Sequence, residues 1–171
     1  MGTLLNELSQ LKTIVAEAVS TWKGDEPLAR APQRELQPLV GHWFNTESGS
    51  HVYSRLVRGE LVSPYCYGGN NDLTGVYYGW RRTGEYWFAR YQWIHSNLSG
   101  FSFLRMSSLE TLNGAWWSSE QELSSGDAPP RSAGVPASWI KQPEVLTPSW
   151  AEKFFIRVER EGFASVLDKL S

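Results

Sequence analysis

The spacing of apolar residues changes character along the chain. In residues 3–22, "TLLNELSQLKTIVAEAVSTW", the side chains Leu4, Leu8, Leu11, Val15, Ala18 and Trp22 recur at alternating steps of three and four, one apolar stripe along an amphipathic helix. Gly24 stops that pattern, and "KGDEPLARAPQRELQP" follows as a polar, proline-marked connector. From Leu39 to Ser119 the period shortens to that of strands. Aromatic and β-branched runs are broken by Gly, Asn or Ser at the spacing of an all-β barrel or sandwich. The candidate strands are "GHWFNTE", "SHVYSRLVR", "ELVSPYCY", "LTGVYYGWR", "EYWFARYQWI", "GFSFLRMS" and "LNGAWWS".

Residues 120–149 hold five of the nine prolines, with several Ser and Gly. They predict a long loop over 120–148 whose apolar anchor is Trp139-Ile140, a length that suits a lid, a binding element or a loosely ordered crossing. A closing helix is predicted over 149–171. Trp150, Phe154, Phe155 and Val158 make its apolar face, and Gly162 is placed to kink or split it before Phe163, Val166, Leu167 and Leu170. Thr147 can cap it with Pro148 at the first helical position; alternatively Ser149 and Glu152 form a capping box. The expectation is one domain over 1–171. It is mainly β: an antiparallel up-and-down β-barrel of seven or eight strands over 39–119, with an N-terminal α-helix over 1–24 and a C-terminal α-helix.

The densest stretch is "LTGVYYGWRRTGEYWFARYQW", residues 73–93, with eight aromatic rings and three arginines. With Thr83-Gly84 as the turn of a two-residue hairpin, Trp80 faces Trp87, Tyr78 faces Ala89, Val76 faces Tyr91 and Thr74 faces Trp93 on a dry face. The other face sets Gly79 against Phe88, Tyr77 against Arg90 and Gly75 against Gln92. Glycines meeting larger partners suit a crowded interior, so this mixed face is expected inside, with the dry face outside under the terminal helices or a second subunit. A slip of one residue exchanges the faces. The reverse assignment gives a greasy pocket and a polar exterior.

A short pattern recurs as "LVGHW" (39–43), "LTGVY" (73–77), "LSGFS" (98–102) and "LNGAW" (112–116). Its irregular spacing rules out a solenoid; in strands such glycines mark bends or close packing. The opening Gly41-His42-Trp43, the hairpins after it and the late Leu-x-Gly-x-Trp resemble the calycin group, the lipocalins and avidin-type barrels, over residues 39–117. The resemblance implies a barrel that takes a small ligand in its interior and a first-strand tryptophan, Trp43, plugging one end. The short strands and the long N-terminal helix depart from that pattern, and no biotin-binding residues map onto this chain.

Composition narrows the chemistry. At 171 residues, 41% hydrophobic and 20% charged, the chain suits one globular domain. Its net charge of −2 supplies no general cationic surface, so no nucleic-acid partner is expected. The single cysteine, Cys66, excludes an internal disulfide and reads as a small buried hydrophobe or a reactive thiol. "MGTLLNELSQLK" lacks the pattern of a signal peptide, Asn6 stands where myristoylation wants Ser or Thr, and no apolar run is long enough for a membrane span. No membrane partner and a cytoplasmic location are expected; Asn97-Leu98-Ser99 reads as a chance match to a glycosylation acceptor.

His42, His51 and His95 show no metal-ligand spacing, and there is no nucleophile elbow, P-loop or Gly-x-Gly-x-x-Gly. No catalytic residue, metal or cofactor is assigned. Residues 39–117 carry six arginines and no lysine, and arginine stacks on rings and grips anions as lysine does not. With the mixed face inside, Arg90, Arg105, Tyr53, Tyr77, Gln92 and Phe88 form the expected ligand site for a small, partly apolar molecule with room for an anionic group. Against this, the chain prefers Arg to Lys throughout, eleven to five, and these six can equally be solvated rim residues. The leading expectation is non-catalytic binding of a small-molecule ligand inside the barrel. The alternative is a filled barrel whose aromatic face serves homo-oligomerisation, as in a homodimer, or docking of a protein partner.

Overall fold

The computed structural model describes residues 33–118, 128–143 and 146–170. The helix expected over 3–22 lies outside the described residues. Eight strands run in order around a closed antiparallel barrel: β1 Gly41–Asn45, β2 Ser50–Val57, β3 Glu60–Cys66, β4 Gly75–Thr83, β5 Tyr86–Trp93, β6 Ser99–Ser108, β7 Thr111–Ser118 and β8 Val135–Lys141. Every strand pairs with its sequence neighbour, and β1 pairs with β8 through Trp43–Lys141, Phe44–Ile140 and Asn45–Trp139. Closure leaves no free sheet edge. Tight connections at 58–59, 84–85 and 109–110 gather at one end, the turn end. Longer loops at 46–49, 67–74 and 94–98 gather at the other, the loop end.

The eighth strand falls in the stretch expected to be loop. Ala137 and Trp139 alternate with exposed neighbours and join the interior cluster, which is the strand period at work. Pro136 lies before the part of β8 that pairs with β1, so its missing N–H takes nothing from that ladder.

Alternate residues of all the strands fill the interior. Trp43, Val52, Leu61, Trp80, Trp87 and Leu104 are among its buried members, joined by Leu36 and Leu39 from the short α1 (Gln33–Leu36) and the 3₁₀ turn after it. The few interior hydroxyls mostly pair with one another. Ser54 Oγ donates to Ser63 Oγ (2.8 Å), which also accepts the Trp80 indole N–H (3.1 Å).

The hairpin of residues 73–93 corrects the expected faces. Thr83 pairs with Tyr86, which puts Gly84-Glu85 in the turn and moves the turn-side pairing two residues from the expected register, with Arg82 facing Trp87 rather than Glu85. Farther from the turn the offset is one residue, so Tyr77 faces Tyr91, and Trp87, Ala89 and Tyr91 point inward while Phe88 and Arg90 point outward. A bulge at Gly79, with φ +64°, restores the phase and turns Trp80 inward as well. On β5 the dry set is thus interior, whereas on β4 both sets are split: Trp80 and Tyr77 point inward, and Val76 and Tyr78 lie outside under the helices.

Outside the barrel, α2 (Ser149–Glu161) and α3 (Phe163–Asp168) cover the outer face of β2–β4. Phe154, Phe155, Val158, Phe163 and Val166 pack on Val57, Val62 and Val76. Gly162, at φ +83°, separates the helices where the sequence placed a break. Neither expected cap forms: Pro148 occupies the N-cap, with no side-chain cap bond. Instead Glu152 grips Arg55 of β2 through two hydrogen bonds, at 2.7 and 3.1 Å, and the guanidinium lies 4.3 Å from the centre of the Phe155 ring. The Arg55 bonds, foremost, hold the Glu152 carboxyl below its usual range. Among the described residues no helix is long and apolar enough to cross a membrane.

Candidate functional site at the loop end

At the loop end tyrosines join the aliphatic and indole side chains that fill the rest of the interior. Tyr65 and Tyr67 come from β3 and the loop after it, Tyr77 from β4, Tyr91 and Trp93 from β5, and Trp116 from β7; these six rings line one concave mouth. Asn45, Ser48 and Ser50, from the β1–β2 connection, supply its polar side. The rings touch in sequence: Tyr65–Tyr77 at 4.8 Å between centroids, Tyr77–Tyr91 at 5.9 Å, Tyr91–Trp116 at 5.8 Å and, on the rim, Tyr67–Trp93 at 5.4 Å. The cavity between them is about 20 Å³, on the order of one water molecule.

Two of the recurring glycines build this mouth. Tyr65 pairs with Gly75 across the β3–β4 ladder, and Tyr91 with Gly100 across β5–β6. A Cβ on Gly75 would stand 2.5 Å from Tyr65 Oη, and one on Gly100 would stand 2.5 Å from Tyr91 Oη and overlap the Trp117 carbonyl. The bare glycine leaves room for the phenol to lie across the neighbouring strand. Tyr91 then donates its hydroxyl proton to the Trp117 carbonyl (3.1 Å).

Burial keeps these phenols neutral. It pushes Tyr77 up, with Tyr91 and Tyr67 adding to the effect, and Tyr65 well up, with Tyr77 and Tyr91 adding; Tyr91 rises to about 12 by burial. A desolvated phenolate beside other phenols is costly. Among the described residues no Lys, Arg, His, Asp or Glu lines the mouth.

Of the six residues expected to hold a ligand, only Tyr77 lies here. Arg90 is exposed on the outer face, its guanidinium 5.8 Å from the Phe88 ring. Phe88 belongs to an outer cluster with Phe101, Phe103 and Trp117, all buried. Arg105 is exposed and pairs with Glu85 at 3.3 Å. Gln92 donates to the Trp93 and Ser96 carbonyls, tying the β5–β6 loop. Tyr53 lies outside the barrel between His42 and Trp150. Trp43 is fully buried at the turn end, where its indole N–H donates to the Leu39 carbonyl (2.9 Å). The expected set does not converge. Tyr65, Tyr67, Tyr91, Trp93 and Trp116 are additional; the recurring Gly75 and Gly100 of the Leu-x-Gly pattern mark the neighbouring strands across which Tyr65 and Tyr91 lie.

A second polar cluster sits outside the barrel on β1–β3. His42 Nε2 and His51 Nδ1 share a hydrogen bond of 2.8 Å, and His42 stacks on Tyr53 with centroids 4.4 Å apart. Cys66, paired with His51 across the ladder, places its Sγ 3.8 Å from the His51 carbonyl. Burial, and then the neighbouring His51, lower the His42 pKa to about 4. Among the described residues no group of three or more His, Cys, Asp or Glu is placed to hold a metal ion.

No family model, curated protein or solved structure matches the chain.

Proposed function

We propose that this protein is a non-catalytic, calycin-like barrel that binds a small, partly apolar molecule at the tyrosine-lined mouth of its loop end. The observation that carries this reading is the convergence of six aromatic rings from four different strands and their loops on one concave opening, while aliphatic and indole side chains fill the rest of the interior. Pockets of this composition, apolar walls with a few placed polar groups, are the usual form of small-molecule sites. The ligand enters by displacing the rim: Tyr67 is 42% exposed and Trp93 half-buried, so these two rings move most cheaply. With Arg90 and Arg105 exposed outside the barrel, the anionic group once expected of the ligand loses its counter-charge.

The small free volume favours one other reading, a filled barrel that docks a second copy or another protein. Native mass spectrometry of gently purified protein separates the two. The binding reading expects extra mass on the monomer that disappears on denaturation. A bare mass, with no thermal shift from a library of small metabolites, would overturn it; a bare dimer would favour docking.

A further inference from the structure

Accepting the mouth as the binding site, we propose that it selects a small organic cation carrying an alkylated ammonium group. Three observations support this chemistry. First, the walls are six electron-rich rings, and the negative faces of tyrosine and tryptophan attract a desolvated cation. Second, among the described residues no cationic side chain lines the mouth. Arg55 is paired with Glu152 on the outer face, Arg58 and Arg82 stand at the turn end, and Arg81, Arg90 and Arg105 project from the outside of the wall. An anion entering here would be buried without a counter-charge, which is costly.

Third, the described loops around the mouth have a negative bias. The connections 46–49, 67–74 and 94–98 contain Glu47 and Asp72, both exposed, and neither Lys nor Arg; the described part of the β7–β8 connection, 128–134, carries the exposed Arg131, which leaves a net charge of −1. Like-signed charges at the rim raise the local concentration of an oppositely charged ligand without being desolvated themselves. Ser48, Ser50 and Asn45 add neutral hydrogen-bonding groups for a hydroxyl or carbonyl at the ligand's other end. Buried Tyr65, Tyr77 and Tyr91 contribute as neutral rings with raised pKa values, so this part of the wall keeps one character across the physiological pH range.

The test compares choline with its uncharged isostere 3,3-dimethylbutan-1-ol, and with benzoate, by titrating the intrinsic tryptophan fluorescence of the full chain. Saturable quenching by choline, about tenfold tighter than by the isostere, is expected from a desolvated cation–π site. Benzoate should leave the signal unchanged. Tyr67→Leu, a change at an exposed rim position, should weaken choline several-fold while leaving the unfolding midpoint in place; Arg90→Leu should leave choline binding as it is. Equal binding of choline and the isostere would overturn the cation inference and keep the mouth as a site. Tighter binding of benzoate would also overturn it. If choline fails while native mass spectrometry shows a retained ligand, the selectivity inference falls and the binding reading survives.

Discussion

The two ends of the barrel are finished in different ways. At the turn end, Leu36 and Leu39 join the interior cluster and the Trp43 indole is hydrogen-bonded to the backbone beneath them; Trp43 is 0% exposed. At the loop end, phenols and indoles meet a small cavity, and the outermost ring, Tyr67, is 42% exposed. Both ends use large aromatic side chains, yet only one keeps them accessible. Aromatic content alone therefore does not locate a site; what distinguishes the ends is whether backbone and aliphatic groups close over the rings.

Truncating a ring at each end breaks this comparison most sharply. Trp43→Ala should cost about 3–5 kcal/mol, the range for emptying a fully buried indole site, read as a fall in the urea midpoint. Tyr67→Leu should stay within about 0.5 kcal/mol, as exposed positions do. Comparable losses at both ends would show the mouth to be ordinary core.

The glycines sharpen the account of how the mouth is built. Gly100→Ala places a methyl against the Trp117 carbonyl and the Tyr91 phenol and should cost about 1–3 kcal/mol through overpacking. Gly69→Ala, in the nearby loop, meets nothing within 4 Å and should be close to neutral. Equal stabilities for the two variants would remove the close-packing role given to Gly100.

Acid probes the outer wall instead. His42 titrates at about 4 in the folded protein because of burial and His51, against about 6.5 in an unfolded chain. The unfolded chain thus binds the proton more readily, and stability is lost as pH falls from 6.5 through 4. Because the imidazole is only half-buried, solvent screening reduces the effect to about 1 kcal/mol. His42→Gln should flatten that limb of a urea-midpoint profile against pH; an unchanged profile would mean that other groups govern it. The smallest effect is expected at Arg90→Leu, whose exposed side chain should change stability by no more than about 0.5 kcal/mol.

Much of the architecture was legible because strand period survives in isolation. All seven candidate strands are present, and the break at Gly162 was visible as a glycine between two apolar helical faces. β8 was hidden because five prolines dominate its neighbourhood, and only pairing on both sides reveals that Ala137 and Trp139 alternate inward. The site was less legible. Its location depended on the register of one hairpin, where a turn one residue later and a bulge at Gly79 moved Tyr77, Tyr91 and Trp93 onto a common wall and sent Arg90 outside. Local propensities hardly distinguish such registers, and a single step inverts every side chain. The glycine repeat pointed to the right strands, but the phenols that exploit Gly75 and Gly100 come from across the ladders, at pairings the linear pattern does not specify.

The most direct test is the indole N–H spectrum of the protein, recorded while choline, phenol and benzoate are titrated in separately. The account predicts that any of these that binds first shifts Trp93 and Trp116, with Trp43, Trp80, Trp87 and the outer Trp117 unmoved. First shifts at Trp43 or Trp117 would contradict the assignment of the mouth as the binding site.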